Sequence, residues 1–385
     1  MEARLNTVPG YRNKSHKILN INNMKTRVLF LLASALLTSF SLSVSAQRHE
    51  MNIPGIPGYV TLKCDFHTHT IFSDGLLWPT QRVTEAWEDG LDALAITDHI
   101  EYTPHKDYTK ADFNAAWDIS KKTADDLNLI LIHGAEITRK MPPGHLNALF
   151  ITDANQLADP DFLKDIETAV KQGAFIEYNH PGWKSQQPDG IPRLYPVHTE
   201  LIAKGWLNGI EYYNEYETYP LVLDMCRDNK LAVMGNSDVH GVISEVYPAP
   251  EYTHRPVTLV FAKERTSESI REALFAGRTA VWYGNNIAGF KEFTEPLFYA
   301  SVSVGKPFKS DEKSIWFEIK NNSDIPFYLI NGTEGEPTEI TIPAHSSEVV
   351  KISNQLAGKK LSYDVKNIIT GNGEILNISL PVAAE

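Results

Sequence analysis

The chain has 385 residues, enough for one large domain and a smaller one, and its 42% hydrophobic and 22% charged residues are typical of a globular protein. The formal net charge is −12, and no lysine- or arginine-rich tract is present. Duplex nucleic acid is therefore excluded as a partner, because its binding depends on a basic protein face. A small phosphorylated substrate remains compatible with this charge, since bound metal ions supply positive charge locally.

The N-terminal segment has the pattern of a secretory signal peptide. Lys25 and Arg27 precede an apolar run, and small residues at 44–46 follow it. A transmembrane anchor is the less favoured alternative, because the apolar run is short and interrupted by serine. We therefore expect residues 1–46 to be an extension and signal peptide, with Met24 as an alternative start. The mature protein is expected to be exported to the periplasm or the extracellular space, without stable membrane insertion.

Short β-rich runs alternate with amphipathic helical stretches across the next 200 or so residues of the chain. Strands are predicted at 60–66, 93–97, 129–135, 146–151, 175–178, 210–213, 232–235 and 257–261. Helices are predicted at 80–88, 113–127, 161–171, 219–229 and 267–275. This alternation predicts an α/β fold of parallel strands with crossover helices, and polar residues at many strand ends favour a barrel over an open sheet.

The pattern changes after Pro296. Alternating apolar runs at 298–304, 314–320, 326–330, 339–342 and 348–352 follow one another with turn residues between them. Such runs predict a small all-β sandwich. We therefore expect a catalytic domain at 47–295 and a β-sandwich at 296–385, the latter as a structural or binding appendage.

Histidines and carboxylates cluster at or beside the ends of the predicted strands. Residues two apart share one face of a strand, so Asp65, His67 and His69 point the same way, as do Asp238 and His240. Histidine and carboxylate are the ligands of catalytic divalent metals, and strand ends are where α/β enzymes build their sites. The remaining members of the set are Asp74, Asp98, His99, Glu136, His145 and His180.

Each of these residues alone is more simply explained as a core or surface residue. Together they would require independent polar placements at five strand ends, each breaking an apolar run without a partner. Glu136, for example, follows an apolar run where an unpaired carboxylate would be costly to bury. His145 differs from the others because it precedes its predicted strand. We therefore predict one centre for two or three divalent ions, for which zinc, manganese and iron are all suitable.

These motifs, in this order, resemble the polymerase and histidinol phosphatase (PHP) superfamily of metal-dependent phosphoesterases, over residues 62–287. The resemblance implies a distorted (β/α)7 barrel that holds up to three metals. It implies a first metal shared by His67, His69, Glu136 and Asp238. Glu136 would bridge to a second metal at His145 and His180, and the third would lie at Asp74, His99 and His240. Asp65 and Asp98 are expected behind the ligands, Asp65 accepting a hydrogen bond from a ligand imidazole.

The expected activity is hydrolysis of small phosphate esters by attack of a metal-bridging hydroxide on phosphorus, with Glu136, Asp238 and His180 as catalytic residues. The export signal and the C-terminal sandwich also resemble the antimony-activated phosphodiesterase branch of the superfamily, which favours a diester. Lys184 and Arg193 follow the loop of His180 and are candidate phosphate contacts. Glu211 and Asn214, at the next strand end, are candidates for contacting a sugar or alcohol portion of the substrate.

Two other functions remain open at this stage. A metal-dependent hydrolase of amides or lactones would use the same centre, because an activated hydroxide attacks a carbonyl carbon equally well. A non-catalytic metal- or carbohydrate-binding protein would use the sandwich instead. The two classes differ in whether the barrel or the sandwich carries the activity.

Overall fold

The computed structural model describes residues 47–109, 112–248, 254–332 and 337–382. The segment expected to be a signal peptide, residues 1–46, lies outside these ranges. Within them, no helix is both long enough and apolar enough to cross a membrane.

Strands and helices alternate through the first part of the described chain. Its strands are β1 (Val60–Asp65), β2 (Ala93–Ile96), β3 (Ile130–Thr138), β4 (His145–Leu149), β5 (Phe175–Tyr178), β6 (Gly209–Asn214), β7 (Glu217–Thr218), β8 (Ala232–Asn236), β9 (Val257–Ala262), β10 (Thr279–Tyr283) and β11 (Asn286–Gly289). Its helices are α1 (Pro79–Glu88), α2 (Ala115–Leu127), α3 (Phe162–Lys171), α4 (Pro196–Ala203), α5 (Leu221–Asn229), α6 (Ile243–Val246), α7 (Ser267–Phe275) and α8 (Lys291–Ser301). A short 3₁₀ helix, Ala154–Leu157, precedes α3.

The sheet at the centre pairs its strands in the order β9-β1-β2-β3-β4-β5-β6-β8. Strands β1, β2 and β3 are parallel to one another, and so are β5, β6 and β8. The expected α/β core is confirmed, but β4 runs antiparallel to both of its neighbours, and β9 runs antiparallel to β1. The start of β4 therefore lies at the edge where its neighbours end, which explains why His145 precedes its strand.

Threonine side chains link β8 to the strands on its other side. Thr258 Oγ1 accepts from the backbone N–H of Gly235 at 2.9 Å, and Thr279 Oγ1 accepts from that of Val233 at 3.2 Å. A Cβ on Gly235 would lie 2.1 Å from Val281, so only glycine allows β8 to come this close to β10. These contacts bring the two ends of the strand order together and close the barrel.

The C-terminal part is an all-β domain, as expected. Its strands are β12 (Val302–Val304), β13 (Lys309–Ser310), β14 (Ser314–Asn321), β15 (Phe327–Ile330), β16 (Ile340–Ile342), β17 (Ser347–Ser353), β18 (Lys360–Gly371) and β19 (Glu374–Pro381), with a 3₁₀ turn at Asn354–Leu356. One sheet joins β12, β13 and β17 to β14, and the other joins β15, β16, β18 and β19. Burial alternates along β14 and β19, as it does in a sandwich with one solvated face per sheet.

The barrel and the all-β domain share one sheet within a compact unit, Arg48–Glu385. Strand β18 pairs in parallel with β11, and the two strands place Ile287 opposite Ile368. One hydrophobic core is continuous across both parts, with Phe298 against Phe327 at a ring distance of 5.0 Å. The chain just before β1 also reaches the all-β domain, because the amide of Asn52 donates to Asp324 at 2.6 Å.

The junction between the two parts differs from the sequence-based expectation. The strand expected at 298–304 begins only at Val302, because α8 continues to Ser301. The expected boundary at 295/296 therefore falls inside α8, which tolerates Pro296 in its interior. Leu297 and Phe298 are buried and hold this helix by packing, which outweighs the helix-breaking tendency of proline.

Candidate metal centre

Four overlapping groups of histidine and carboxylate side chains lie at the ends of the barrel strands. Within each group, one potential ligand atom from every member lies within 4.8 Å of the others. The structure brings together all of the residues predicted as ligands, although His69 joins both the first and the third of the expected sets. The groups are His67–His69–Asp238, His67–Glu136–His180, His99–Glu136–His145 and His69–Asp74–His99–His240.

The two histidines that follow β1 face the same pair of carboxylates. His67 Nε2 lies 3.1 Å from Asp238 Oδ1 and 3.4 Å from Glu136 Oε2. His69 Nε2 lies 3.0 Å and 3.4 Å from the same two oxygens. The two-residue spacing after β1 therefore aims both rings at one point, as the strand period predicts.

The carboxylate of Glu136 stands between two sets of imidazoles. Its Oε1 lies 2.9 Å from His145 Nδ1 and 3.6 Å from His180 Nε2. Its Oε2 lies 2.7 Å from His99 Nδ1. The two oxygens of one fully buried carboxylate thus face different imidazoles, which is what a bridging ligand requires.

Asp74 lies at the outer edge of the cluster. Its Oδ1 is 3.2 Å from His240 Nε2 and 3.5 Å from His99 Nε2. The loop that carries it folds back closely on His69, because a Cβ on Gly75 would lie only 2.6 Å from the His69 backbone carbon. Glycine at position 75 therefore permits the turn that presents Asp74.

Two of the ligand residues have left-handed backbone conformations, with φ of 28° at His180 and 49° at Asp238. Such angles cost a non-glycine residue about 1–3 kcal/mol and concentrate at functional sites. Neighbouring amides hold both segments: Asn179 Nδ2 donates to Glu136 at 3.0 Å, and Asn214 Nδ2 donates to Asp238 at 3.3 Å. The strain is retained where it directs a side chain into the cluster.

Six atoms of this cluster are buried and lack a hydrogen-bond partner among the described residues. Unpaired buried polar atoms are rare in folded proteins, because each one costs desolvation energy. Their convergence from separate strand ends, with nitrogen and oxygen donors in each group, fits divalent cations. The atoms are His67 Nε2, His69 Nε2, Asp74 Oδ1, Glu136 Oε2, His145 Nδ1 and Asp238 Oδ1.

The cluster shifts the pKa values of its imidazoles in opposite directions. Burial alone would lower the pKa of His99, but Glu136 and Asp74 raise it to about 10. Burial likewise opposes the effect of Asp74 on His240, whose pKa is raised to about 9. Burial, reinforced by the neighbouring imidazoles, lowers the pKa of His69 to about 3. His99 and His240 therefore bind a proton more strongly than His69 does.

Glu211 lies beneath the cluster and not in the substrate cavity, which corrects the expectation that it contacts substrate. It is fully buried, and its Oε1 accepts from His67 Nδ1 at 2.9 Å. Its Oε2 accepts from the His180 amide at 2.6 Å and from Asn214 Nδ2 at 2.9 Å. Because a carboxylate only accepts, it keeps the proton of His67 on Nδ1 and leaves Nε2 facing the centre.

Asp65 does not accept from a ligand imidazole, contrary to expectation. Its carboxylate instead accepts from Ser237 Oγ at 2.6 Å and from Arg255 at 3.1 Å, and so fixes the loop before Asp238. The side chain facing His67 is Glu211, which lies on a different strand. Strand alternation gave no signal for that long-range pairing.

Asp98 lies behind the ligands, where it was expected. It accepts from Thr70 Oγ1 at 2.6 Å and from Ser73 Oγ at 2.7 Å. Ser73 Oγ is in turn 3.4 Å from His69 Nδ1. Asp98 thus orients the loop of His69 through hydroxyl groups and not by direct contact with the imidazole.

A cavity of about 550 Å³ opens over the cluster. Asp74, His99, His145, His180, Asp238 and His240 all line it, so the candidate ligands are accessible from solvent. Its walls also contain residues that the sequence analysis did not single out: Tyr102, Arg139, Lys140, Trp183 and Gln186. Arg139 and Lys140 directly follow Thr138 at the end of β3, so the strand-end rule could have found them.

Three of the four predicted substrate contacts lie away from this cavity. Lys184 is exposed, and Arg193 is half-buried and paired with Asp189 at 2.5 Å. Neither of them lines the cavity, and Glu211 is buried below it. Asn214 does line the cavity, where it also donates to Glu211 and Asp238.

Both parts of the chain match known protein families. A model of the PHP domain matches residues 65–223, and a model of an Ig-like domain matches residues 302–381. A solved structure from Bacteroides vulgatus, described as a two-domain protein containing a predicted PHP-like metal-dependent phosphoesterase, is 38% identical to this chain. The match covers 87% of this chain and 99% of that one, with a TM-score of 0.84.

A second relative matches a shorter stretch. An uncharacterized protein from Methanocaldococcus jannaschii is 40% identical over 82 residues, which is 21% of this chain and 36% of that protein. The chain therefore spans about a third of the length of this relative. The near-complete match with the two-domain structure decides the assignment: the chain belongs to the family of PHP-like metal-dependent phosphoesterases that carry a C-terminal Ig-like domain.

Proposed function

We propose that this protein is an extracytoplasmic phosphodiesterase that hydrolyses small phosphate esters with two or three bound divalent cations. The observation that carries the proposal is the set of unpaired, buried histidine and carboxylate atoms that converge beneath one cavity. Cations held there would lower the pKa of bound water and offset negative charge on a phosphate group. The chain supplies the ligands and excludes bulk water from beneath them.

The ligand residues would hold different cations, with Glu136 between them. His67, His69, Glu136 and Asp238 would hold one cation, and the two faces of Glu136 allow it to reach the neighbouring groups. His180 lies near both carboxylates, at 3.6 Å from Glu136 and 3.9 Å from Asp238. Loss of Glu136 should therefore affect more than one cation.

Charge on the cavity wall favours a diester over a monoester. The acidic residues Glu101, Glu215 and Glu217 outnumber the basic residues Arg139 and Lys140 on this wall. Arg139 is already paired with Glu101 and also with a second carboxylate below the wall. A diester carries one negative charge and a monoester at neutral pH close to two, so an acidic wall disfavours the monoester.

The size and chemistry of the cavity also favour substituents on phosphorus. The volume of about 550 Å³ exceeds what a phosphate group alone requires, and it falls in the range of small-molecule sites. The rings of Tyr102 and Trp183 are partly exposed on its wall. Aromatic rings in such positions can contact the organic groups on either side of a phosphodiester.

The test combines metal analysis with a substrate panel. Purified protein, Glu136→Gln and His180→Ala are compared for metal content and for hydrolysis of bis-p-nitrophenyl phosphate, p-nitrophenyl phosphate, and amide and lactone substrates. We expect the diester to be the best substrate of the parent protein and both variants to lose metal and activity. His133→Gln is the matched control, because His133 is buried on the same strand as Glu136 but stacks on Trp117, outside the four ligand groups.

Other outcomes would select the alternatives. Full metal content and activity in both variants would refute the centre. Faster turnover of amides or lactones would assign the other hydrolase class, and metal binding without turnover would indicate a binding protein. Export is tested separately, by cell fractionation and by N-terminal sequencing of the mature protein, which we expect to begin near Gln47.

A further inference from the structure

The ring of His145 has one neighbour at each nitrogen. Its Nδ1 lies 2.9 Å from Glu136 Oε1, and its Nε2 lies 2.9 Å from Gln186 Nε2. The side chain of His145 is only 9% exposed, so these two neighbours decide which nitrogen carries the ring proton. A neutral imidazole donates from one nitrogen and accepts at the other.

In the arrangement shown, the amide of Gln186 acts as the donor. Its Nε2 faces His145 Nε2 and also donates to the backbone carbonyl of Arg139 at 3.3 Å. His145 Nε2 must therefore accept, which leaves the ring proton on Nδ1, directed at the carboxylate of Glu136. The other amide atom, Gln186 Oε1, is buried without a hydrogen-bond partner among the described residues.

A cation at the His99–Glu136–His145 group requires the opposite tautomer. The nitrogen facing that group is Nδ1, and it can bind a cation only through a free lone pair. The ring proton must then sit on Nε2, where it meets the N–H of the Gln186 amide. Rotation of this amide by 180° about the Cγ–Cδ bond of Gln186 exchanges Nε2 for Oε1 opposite His145 Nε2. Oε1, which has no hydrogen-bond partner in the arrangement shown, would then accept from His145.

Other ligand histidines have partners that cannot reverse in this way. Glu211 accepts from His67 Nδ1, and the carbonyl of Asp238 lies 2.7 Å from His240 Nδ1. Carboxylates and carbonyls only accept, so each of these rings keeps a proton on Nδ1 and presents Nε2 to the centre. Gln186 differs because an amide can serve either tautomer.

We infer that Gln186 is a positioning residue that switches the tautomer of His145, its side-chain amide rotating when the neighbouring cation binds. This inference rests on the metal centre proposed above and goes beyond it. It assigns to Gln186 a role in the order of metal loading: the His145 position is closed to cations in one amide orientation and open in the other. It also gives Gln186 Oε1, which has no hydrogen-bond partner among the described residues, a donor in the His145 Nε2–H.

The first test measures the affinity for Zn²⁺ alone by chelator competition. Gln186→Met keeps the length of the side chain but cannot accept from His145, and we expect it to weaken one Zn²⁺ site about 10–100-fold. Gln186→Glu restores an acceptor and should recover most of that loss. Gln187→Met is the control for distortion of the loop, since Gln187 bonds within the loop to Ile191 and Tyr195 and should leave Zn²⁺ affinity unchanged.

The second test needs no variant. Nitrogen-15 NMR of the full chain should show His145 protonated on Nδ1 without Zn²⁺ and on Nε2 with it, while the amide signals of Gln186, but not of Gln187, move on loading. An unchanged tautomer, or equal Zn²⁺ affinity in Gln186→Met and Gln186→Glu, would refute the switch. Failure of the parent protein to bind Zn²⁺ would instead refute the centre itself.

Discussion

At the scale of single residues, two buried glutamates beneath the centre have opposite roles. Asn236 Nδ2 donates to Glu177 at 2.7 Å and to Glu211 at 3.0 Å, and both glutamates are fully buried. Several donors satisfy the carboxylate of Glu211. Burial and the charge of Glu211 raise the pKa of Glu177 well above its usual value, which favours the neutral acid. Its Oε2 and the Oδ1 of Asn147, the residue opposite it in the β4–β5 pairing, both lack a hydrogen-bond partner among the described residues, which a proton on Glu177 would supply.

This contrast predicts different effects of the same substitution. Glu177→Gln replaces a neutral acid by a neutral amide that still donates to Asn147, so the free energy of unfolding should change by less than about 1 kcal/mol, with metal affinity unchanged. Glu211→Gln removes the acceptor of His67 and should weaken metal binding about 10–100-fold. Denaturant unfolding and chelator competition measure the two effects. Equal damage from both substitutions would contradict the assignment.

The raised pKa values of His99 and His240 predict that metal binding depends on pH. With metal-free pKa values of about 10 and about 9, both rings carry a proton at pH 7 that a cation must displace. Metal affinity should therefore rise as pH increases from 7 to 9 and level off above 10. Calorimetry in buffers of different ionisation enthalpy should show protons released at pH 7, because the pKa values of His67 and His180 are raised as well. Affinity independent of pH over this window would show that the rings are not protonated.

The ligands were easier to predict from sequence than their supports. Residues such as His67 and His99 stand where an apolar run stops, and a polar residue at the end of a buried strand is typical of a functional site. Glu211, by contrast, lies within a strand that is buried throughout. Only its contact with His67 in the folded protein shows that it supports a ligand. Lys184 and Arg193 were misplaced because a loop position alone does not say which way a long side chain extends.

At the scale of elements, the β3–β4 hairpin shows what periodicity leaves open. An apolar run predicts a strand but not its direction, and the expected strands were taken as parallel. The observed connection between Thr138 and His145 spans residues 139–144, too short for a parallel crossover, which needs a dozen or more residues. The expected strands at 129–135 and 146–151 leave a longer connection between them than the one observed. The difference arises because β3 continues to Thr138. Strand length, and not strand existence, was the missing information.

The turn after β1 gives a prediction at this scale. Gly75→Ala would place a Cβ 2.6 Å from the His69 backbone, so the loop must shift and move Asp74 away from His240. We expect a loss of about 1–3 kcal/mol in the free energy of unfolding, with weaker metal binding. Gly305→Ala is the control, because its Cβ would meet its nearest neighbour at 3.3 Å, far from the centre. Unchanged unfolding and metal binding in Gly75→Ala would show that the turn has room.

At the scale of the whole molecule, the all-β domain is part of the barrel's structure and not only an appendage. Strand β18 covers the edge of β11, and Arg227 on α5 donates to the carbonyl of Thr370 at 2.6 Å. The same hydrophobic core contains Phe261 of the barrel and Phe317 of the sandwich. The sequence predicted two domains because their strand patterns differ, but nothing in those patterns indicates that two sheets join.

Removal of residues 302–385 should therefore damage the barrel. The deletion exposes the edge of β11 and one side of the shared core, and exposed edges of this kind promote aggregation. We expect the truncated protein to be insoluble or to unfold well below the parent protein in thermal denaturation. Removal of residues 1–46 is the control and should leave stability and metal content unchanged. A soluble, monomeric truncation with full metal content would restore the picture of a separable appendage.

The pairing of β11 with β18 also sets the order in which the chain can finish folding. Ribosomes complete residues 360–371 roughly 70 residues after β11 and long after the histidines that follow β1 have emerged. The hydrogen bond of Asn52, close to the beginning of the described chain, likewise cannot form until Asp324 has been synthesised. The edge of β11 in a nascent chain thus stays uncovered until β18 has been synthesised, and it must be protected from premature association until then.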